Sequence, residues 1–257
     1  MRSSFRHAAI LEAVTRLGTC SVSQLAHQLS VSDETIRRDL KALALSGRVI
    51  KFHGGVMLPD VLRESPFEIR LRENADIKKR IASRAAREVA DGDSVMLDTG
   101  STTAYVAYAL REHRDLTVVT NSIDIARTLA TRNGNRVFMA GGELRADDGA
   151  ALGPTAAAFI GQFRVRTAML SIGAIDIEDG PMNYDLAEVA FSRVVVERAD
   201  RKILVVDYSK FGRRATMKAM PWSAIDVVVT DRPLPEPFAR QLALANVEVV
   251  VASEDEE

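Results

Sequence analysis

Five short segments collect hydroxyls, carboxylates, glycines and cations behind apolar runs. The first is Asp98-Thr99-Gly100-Ser101-Thr102-Thr103. Gly100 permits a tight turn. Ser101, Thr102 and Thr103 bring hydroxyls and backbone amides to the start of a helical pattern, an arrangement that binds anions such as phosphate. The second is Thr120-Asn121-Ser122 and the third Gly141-Gly142-Glu143-Leu144-Arg145. Ser171-Ile172-Gly173 and Asp207-Tyr208-Ser209-Lys210 follow. Each also has a plain structural reading: a helix cap at 100–103, a helix start at 120–122, and solvated charges at Arg145 and Lys210. Their shared place behind five successive apolar runs favours a polar phosphorylated ligand. The anion is assigned to Ser101–Thr103 and Lys210, and hydroxyls to Thr120, Asn121, Gly142 and either Glu188 or Asp207. Glu188 lies in a helical pattern that either leans over this site or exposes its charge.

A second chemistry lies in SVSDETIRRDLKAL, 30–43. Ser32 can cap a helix by accepting from an orphan amide, and Asp33 and Glu34 suit the positive end of the helix dipole. Ile36, Leu40 and Leu43 form one apolar face, leaving Thr35, Arg37, Arg38 and Lys41 on the others. Arginine grips phosphates or guanine edges and threonine can meet either, so this reads as a DNA recognition helix.

These residues need a frame. Ile10, Leu11, Val14 and Leu17 make a helical stripe that stops at Gly18, and Ser21 or Ser23 can cap a second helix through Leu25 and Leu29. Gly47 ends the third. Residues 48–52 read as a strand turning at Gly54-Gly55 into Val56. Three helices and a small hairpin make a winged helix-turn-helix, with the third helix in the major groove and Arg48, Lys51 and His53 along the backbone. Pro59 and Pro66 lie in a polar stretch. The expected organisation is a DNA-binding domain over 1–57, a connector over 58–75, an α/β domain over 76–252 and an acidic tail over 253–257. In the third part, apolar runs near 95–97, 116–119, 137–140, 168–172, 203–206, 227–229 and 247–251 alternate with helical patterns. That is the signature of a mostly parallel sheet covered on both faces, in which ligands sit outside the carboxyl ends of the strands.

A length of 257 residues suggests one or two domains, and 47% hydrophobic with 27% charged residues is an ordinary globular composition. Net charge is only -1, but it is divided unevenly. Residues 1–58 hold eight Lys or Arg against four Asp or Glu, and the remainder carries the acidic excess. A basic head on an acidic body suits one domain meeting phosphate. Cys20 is the only cysteine and the four His are scattered, so no disulfide framework, metal site or cofactor is expected. No apolar run approaches the ~20 residues of a membrane span. The first residues read as a helix rather than a signal peptide, so a cytoplasmic, nucleoid-associated protein without membrane contact is expected.

VSDETIRRDL (31–40) and HGG (53–55) resemble the signature of the DeoR family of bacterial transcriptional regulators. The likeness continues through DTGSTT, TNS, AGGELR and DYSKFG. It implies that TIRRDL is the recognition helix and that the second domain is a ribose-5-phosphate isomerase-like sensor of phosphorylated sugars or polyols. The segments 140–153, 159–164 and 207–213 are most similar to the glycerol 3-phosphate branch of the family. The expected protein is therefore a repressor of a carbohydrate or glycerol operon, released from operator DNA by a phosphorylated effector, glycerol 3-phosphate being favoured. A single copy offers one helix to one half-site, so a homodimer or homotetramer is expected. Two alternatives stay open at this point: a sugar-phosphate isomerase using Glu188, Asp98 or Asp207 as base, and an activator or a regulator that binds DNA only with ligand.

Overall fold

The computed structural model describes residues 3–17, 19–46, 48–52, 55–57 and 64–253, in two compact units divided at Val61/Leu62. The stops at Gly18 and Gly47, the turn at Gly54, His53, residues 58–63 of the connector and residues 254–257 of the tail lie outside the described residues.

In the first unit, α1 (Ser3–Leu17), α2 (Val22–Leu29) and α3 (Asp33–Leu45) enclose a core containing Ile10, Val14, Leu25, Ile36, Leu40 and Leu43. Ser21 caps α2 in a capping box: its hydroxyl accepts from the Gln24 amide while the Gln24 side chain accepts from the Ser21 amide. Ser32 caps α3 by accepting from the Thr35 amide. The strands β1 (Thr19–Ser21), β2 (Ile50–Phe52) and β3 (Gly55–Met57) form an antiparallel sheet in the order β1-β3-β2. The wing is thus a hairpin completed by a strand from the α1–α2 connection, too short to show a period in the sequence. Asp39, buried on α3, ties that helix to α1. It accepts from Arg6 Nε at 2.5 Å and lies 3.1 Å from His7 Nε2. Burial works to raise the Asp39 pKa, but Arg6 and His7 outweigh it and hold the carboxyl below its ordinary value.

The second unit opens with α4 (Phe67–Arg72) and α5 (Ala75–Ala86), so part of the segment expected as a connector is helical. It is also anchored: the Phe67 amide donates to Asp147, and the Tyr105 hydroxyl donates to the Leu71 carbonyl. There follow β4 (Ser94–Leu97), α6 (Ser101–Ala109), β5 (Thr117–Thr120), α7 (Ile123–Leu129), β6 (Arg136–Met139), α8 (Pro154–Ile160) and β7 (Val165–Leu170). Then come β8 (Ala174–Asp176), β9 (Gly180–Asn183), α9 (Leu186–Glu197), β10 (Ala199–Val205), β11 (Met217–Lys218), β12 (Val227–Thr230), α10 (Glu236–Leu244) and β13 (Glu248–Val251).

Seven strands pair in parallel in the order β13-β12-β10-β7-β4-β5-β6. Alternate residues feed opposite faces, as a pleated strand requires. Met96, Leu170 and Leu204 join the core under α8, α9 and α10. Val95, Leu97 and Ile203 join the core under α5, α6 and α7. The chain leaves β4 for β5 on one side and returns to β7 on the other. The topological switch point therefore lies between the ends of β4 and β7, where such sheets open a ligand crevice. A small antiparallel sheet, β11-β9-β8, stands apart from the parallel one; the segments forming it carry too little alternation to be read in advance.

Candidate functional site

On the first unit, the apolar face of α3 is spent on the core and its charged faces are open. Ser32, Arg37, Arg38 and Lys41 are exposed and Thr35 is half-buried, its hydroxyl 3.0 Å from that of Ser32. Arg48 and Lys51, beside and on β2, are exposed too.

On the second unit, a cleft opens at the switch point. The Asp98 carboxylate, just past β4, accepts from the Ser171 amide, just past β7, at 3.0 and 3.1 Å, pinning the two strand ends together. Burial pushes the Asp98 carboxyl well above its ordinary value despite those bonds. Gly100 packs against the same serine: a Cβ at position 100 would lie 1.9 Å from Ser171 Oγ. Close approach, not turn conformation, is the reason for this glycine, whose backbone is extended. Gly173 has a similar cause, since a Cβ there would meet the Asn183 side-chain oxygen and the Tyr184 ring at 2.8 Å.

Four of the residues expected to bind a ligand share the cleft wall: Asp98, Asn121, Gly173 and Glu188. The others sit around it in different roles. Ser101, Thr102 and Thr103 are buried at the start of α6, and the Thr103 hydroxyl donates to the carbonyls of Asp98 and Gly100. No side chain caps α6, so its first amides retain their capacity to donate to an anion. Thr120 is buried, and its hydroxyl accepts from the Ser122 amide; Ser122 caps α7. Asp207 caps the turn at Tyr208–Lys210 and accepts from Asn74. Gly141, Gly142 and Glu143 are exposed and do not line the cleft. Their glycine-rich composition marks a loop after β6, a strand at the sheet edge rather than at the switch point.

The charges form a paired network rather than a solvated fringe. Arg145 reaches Asp148 at 2.5 Å, Glu188 at 2.6 Å and Asp185 at 3.4 Å. Burial pushes Glu188 above its ordinary pKa, and Arg145 offsets only part of that. Lys210 lies 2.9 Å from Glu64, which also pairs with Arg70 at 3.1 Å. Burial acts to raise Glu64, but Lys210 and Arg70 win and hold it below the usual carboxylate range. Lys78, buried on α5, donates to the Arg70 carbonyl, and burial pushes its pKa down to about 8.

Glu64, Arg70 and Asn183 line the cleft without having been expected there. Glu64 and Arg70 precede the first strand of the sheet by more than a helix, and Asn183 ends a strand of the small sheet. Nothing local marks them as site residues. Among the described residues no cluster of His, Cys, Asp and Glu could hold a metal ion, and no helix is long and apolar enough to cross a membrane.

Residues 6–61 match the DeoR-like helix-turn-helix domain, and residues 73–232 match the DeoR C-terminal sensor domain. The chain belongs to the DeoR family. The glycerol-3-phosphate regulon repressor of Escherichia coli (strain K12) is 38% identical over 235 residues, covering 91% of this chain and 93% of that protein. The protein of the same name from Haemophilus influenzae is 35% identical and covers 90% of both. Ribose 5-phosphate isomerase from Plasmodium falciparum is similar over 53% of this chain and 52% of that one, at 17% identity and a TM-score of 0.38. As a DeoR-family member with both domains, the protein is a DNA-binding transcriptional regulator rather than an isomerase.

Proposed function

We propose that this DeoR-family protein represses a carbohydrate or glycerol operon and leaves its operator when a phosphorylated sugar or polyol fills the switch-point cleft. Glycerol 3-phosphate is the favoured effector. The observation that carries this reading is the pairing, in one chain, of an exposed basic recognition helix with a polar cleft at the ends of β4 and β7. The names of the relatives support the effector and the sign of regulation.

In this reading Arg37, Arg38 and Lys41 meet DNA, with Arg48, Lys51 and His53 beside them. The amides of Ser101–Thr103 and the Lys210 ammonium take the phosphate, while Asn121 and Glu188 hold hydroxyls. Two or more copies engage two half-sites, as a homodimer or homotetramer. The effector favours the DNA-free state, and a coupling of roughly 1–3 kcal/mol gives ~5–150-fold release.

Mobility shifts on the DNA upstream of the protein's own gene, with glycerol 3-phosphate and a panel of sugar phosphates, test this. Binding without ligand and release by one phosphate is the expected outcome. Binding that requires ligand makes the protein a regulator that binds DNA only with ligand, and overturns release by the effector. Binding indifferent to every phosphate overturns the effector reading.

A further inference from the structure

Arg70 lines the cleft, and Lys210, which does not line it, reaches it through Glu64; both cations are already occupied. Glu64 takes both, 2.9 Å from the Lys210 ammonium and 3.1 Å from the Arg70 guanidinium, with its carboxylate on the cleft wall. Arg145 is also engaged, by Asp148 and Glu188. An incoming anion therefore meets the Glu64 carboxylate with Lys210 and Arg70 already paired to it. A phosphate and a half-buried carboxylate a few ångströms apart repel strongly where solvent screening is reduced. The phosphate can bind well only by taking Lys210 and Arg70 from Glu64.

We propose that Glu64 is a self-carried anion that competes with an incoming phosphate for Lys210 and Arg70, so that it lowers the affinity of the cleft for phosphates and leaves its affinity for an uncharged polyol unchanged. This inference rests on the reading of the cleft as a phosphate-sensing site. A dianion offers the fork of Arg70 and the ammonium of Lys210 stronger charge-assisted bonds than a single carboxylate does. A neutral polyol offers no such exchange and leaves Glu64 in place. Glu64 also follows the unit boundary at Val61/Leu62 by only a few residues and is joined to α4 through Ser65 and Pro66. Its displacement changes the anchorage of residues 64–66 ahead of α4, so that occupancy of the cleft is registered at the start of the sensor unit.

The test is isothermal titration of the full chain with inorganic phosphate, glycerol 3-phosphate and glycerol, on wild type, Glu64→Gln, Glu64→Asp and Lys210→Met. Removing a competitor held by two charge-assisted bonds should tighten binding of both phosphates to Glu64→Gln by at least about tenfold. Glu64→Asp, which keeps the charge, should stay closer to wild type, and glycerol should not gain. Equal or weaker phosphate binding by Glu64→Gln, with loss in Lys210→Met, overturns the proposal while the phosphate-sensing cleft survives. No binding of either phosphate to any variant sinks both. Hydrogen exchange on the wild type needs no variant to fold: glycerol 3-phosphate should speed exchange in residues 64–69, and unchanged or slower exchange there overturns the displacement.

Discussion

The side-chain amide of Asn121, a residue of the cleft wall, donates to the Ala151 carbonyl at 3.1 Å. The side-chain oxygen of Asn121 is buried and has no hydrogen-bond partner among the described residues. The Ala151 amide returns a bond to the Asn121 carbonyl, so the pair is held from both directions. A buried unpaired acceptor costs about 1–3 kcal/mol, and a ligand hydroxyl placed there recovers part of it. Replacing Asn121 with Ala should weaken glycerol 3-phosphate binding by about 1 kcal/mol, roughly fivefold. Titration calorimetry reads the change directly, and an unaltered Kd would remove Asn121 from the ligand set.

Gly100 and Ser171 approach too closely for any side chain at position 100. Gly100→Ala should cost about 1–3 kcal/mol of stability through overpacking. Ser171→Gly in the same chain removes both atoms that the new Cβ would strike, and should restore much of the loss. Urea denaturation of the single and double variants measures this coupling. Additive losses would show that the contact is not the cause.

Arg38 stands exposed on α3, on a helix whose apolar residues are fully used by the core. Arg38→Ala should leave the thermal transition within about 0.5 kcal/mol of wild type, as exposed substitutions do. Operator affinity should fall by about 1–3 kcal/mol if Arg38 reads a base edge. If it grips phosphate, the loss should be uniform across sequences, and the salt dependence should drop by about one ion. Undiminished operator binding in fluorescence anisotropy would exclude Arg38 from the interface.

Lys78 gives a pH signature. Its pKa falls from 10.5 to about 8 on burial. Between those values the unfolded chain holds more protons on this group than the folded chain, so its contribution to stability rises with pH. Wild type should therefore gain on Lys78→Met as pH climbs from 8 towards 10.5, by at most about 1.4 kcal/mol per unit. Chemical denaturation at several pH values gives the difference. A flat difference would mean that Lys78 titrates as an exposed lysine does.

Much of the frame is legible in the sequence. Ile36, Leu40 and Leu43 repeat at the helical period because one face of α3 must be buried, and Ser32 stands where an orphan amide needs an acceptor. The apolar runs at 95–97, 203–206 and 227–229 declared buried strands because parallel strands are covered on both sides. The sheet order itself was not legible. The small β11-β9-β8 sheet, two to four residues per strand, is shorter than any window in which a period can be recognised.

The sequence by itself determined the local elements, the basic recognition helix and the membership of Asp98, Asn121 and Gly173 in one set of strand-end residues. Periodicity, capping and turn chemistry act over a few neighbouring positions, so they leave a trace in any short stretch. Only the tertiary structure decided which charges meet. It seated Glu64 against Lys210, brought Arg145 to Glu188, and left Gly141, Gly142 and Glu143 outside the cleft. Such partners depend on which strands lie side by side at the switch point, and on segments packed against them from far along the chain. Coulomb pairing responds to distance in space, which a run of residues does not record.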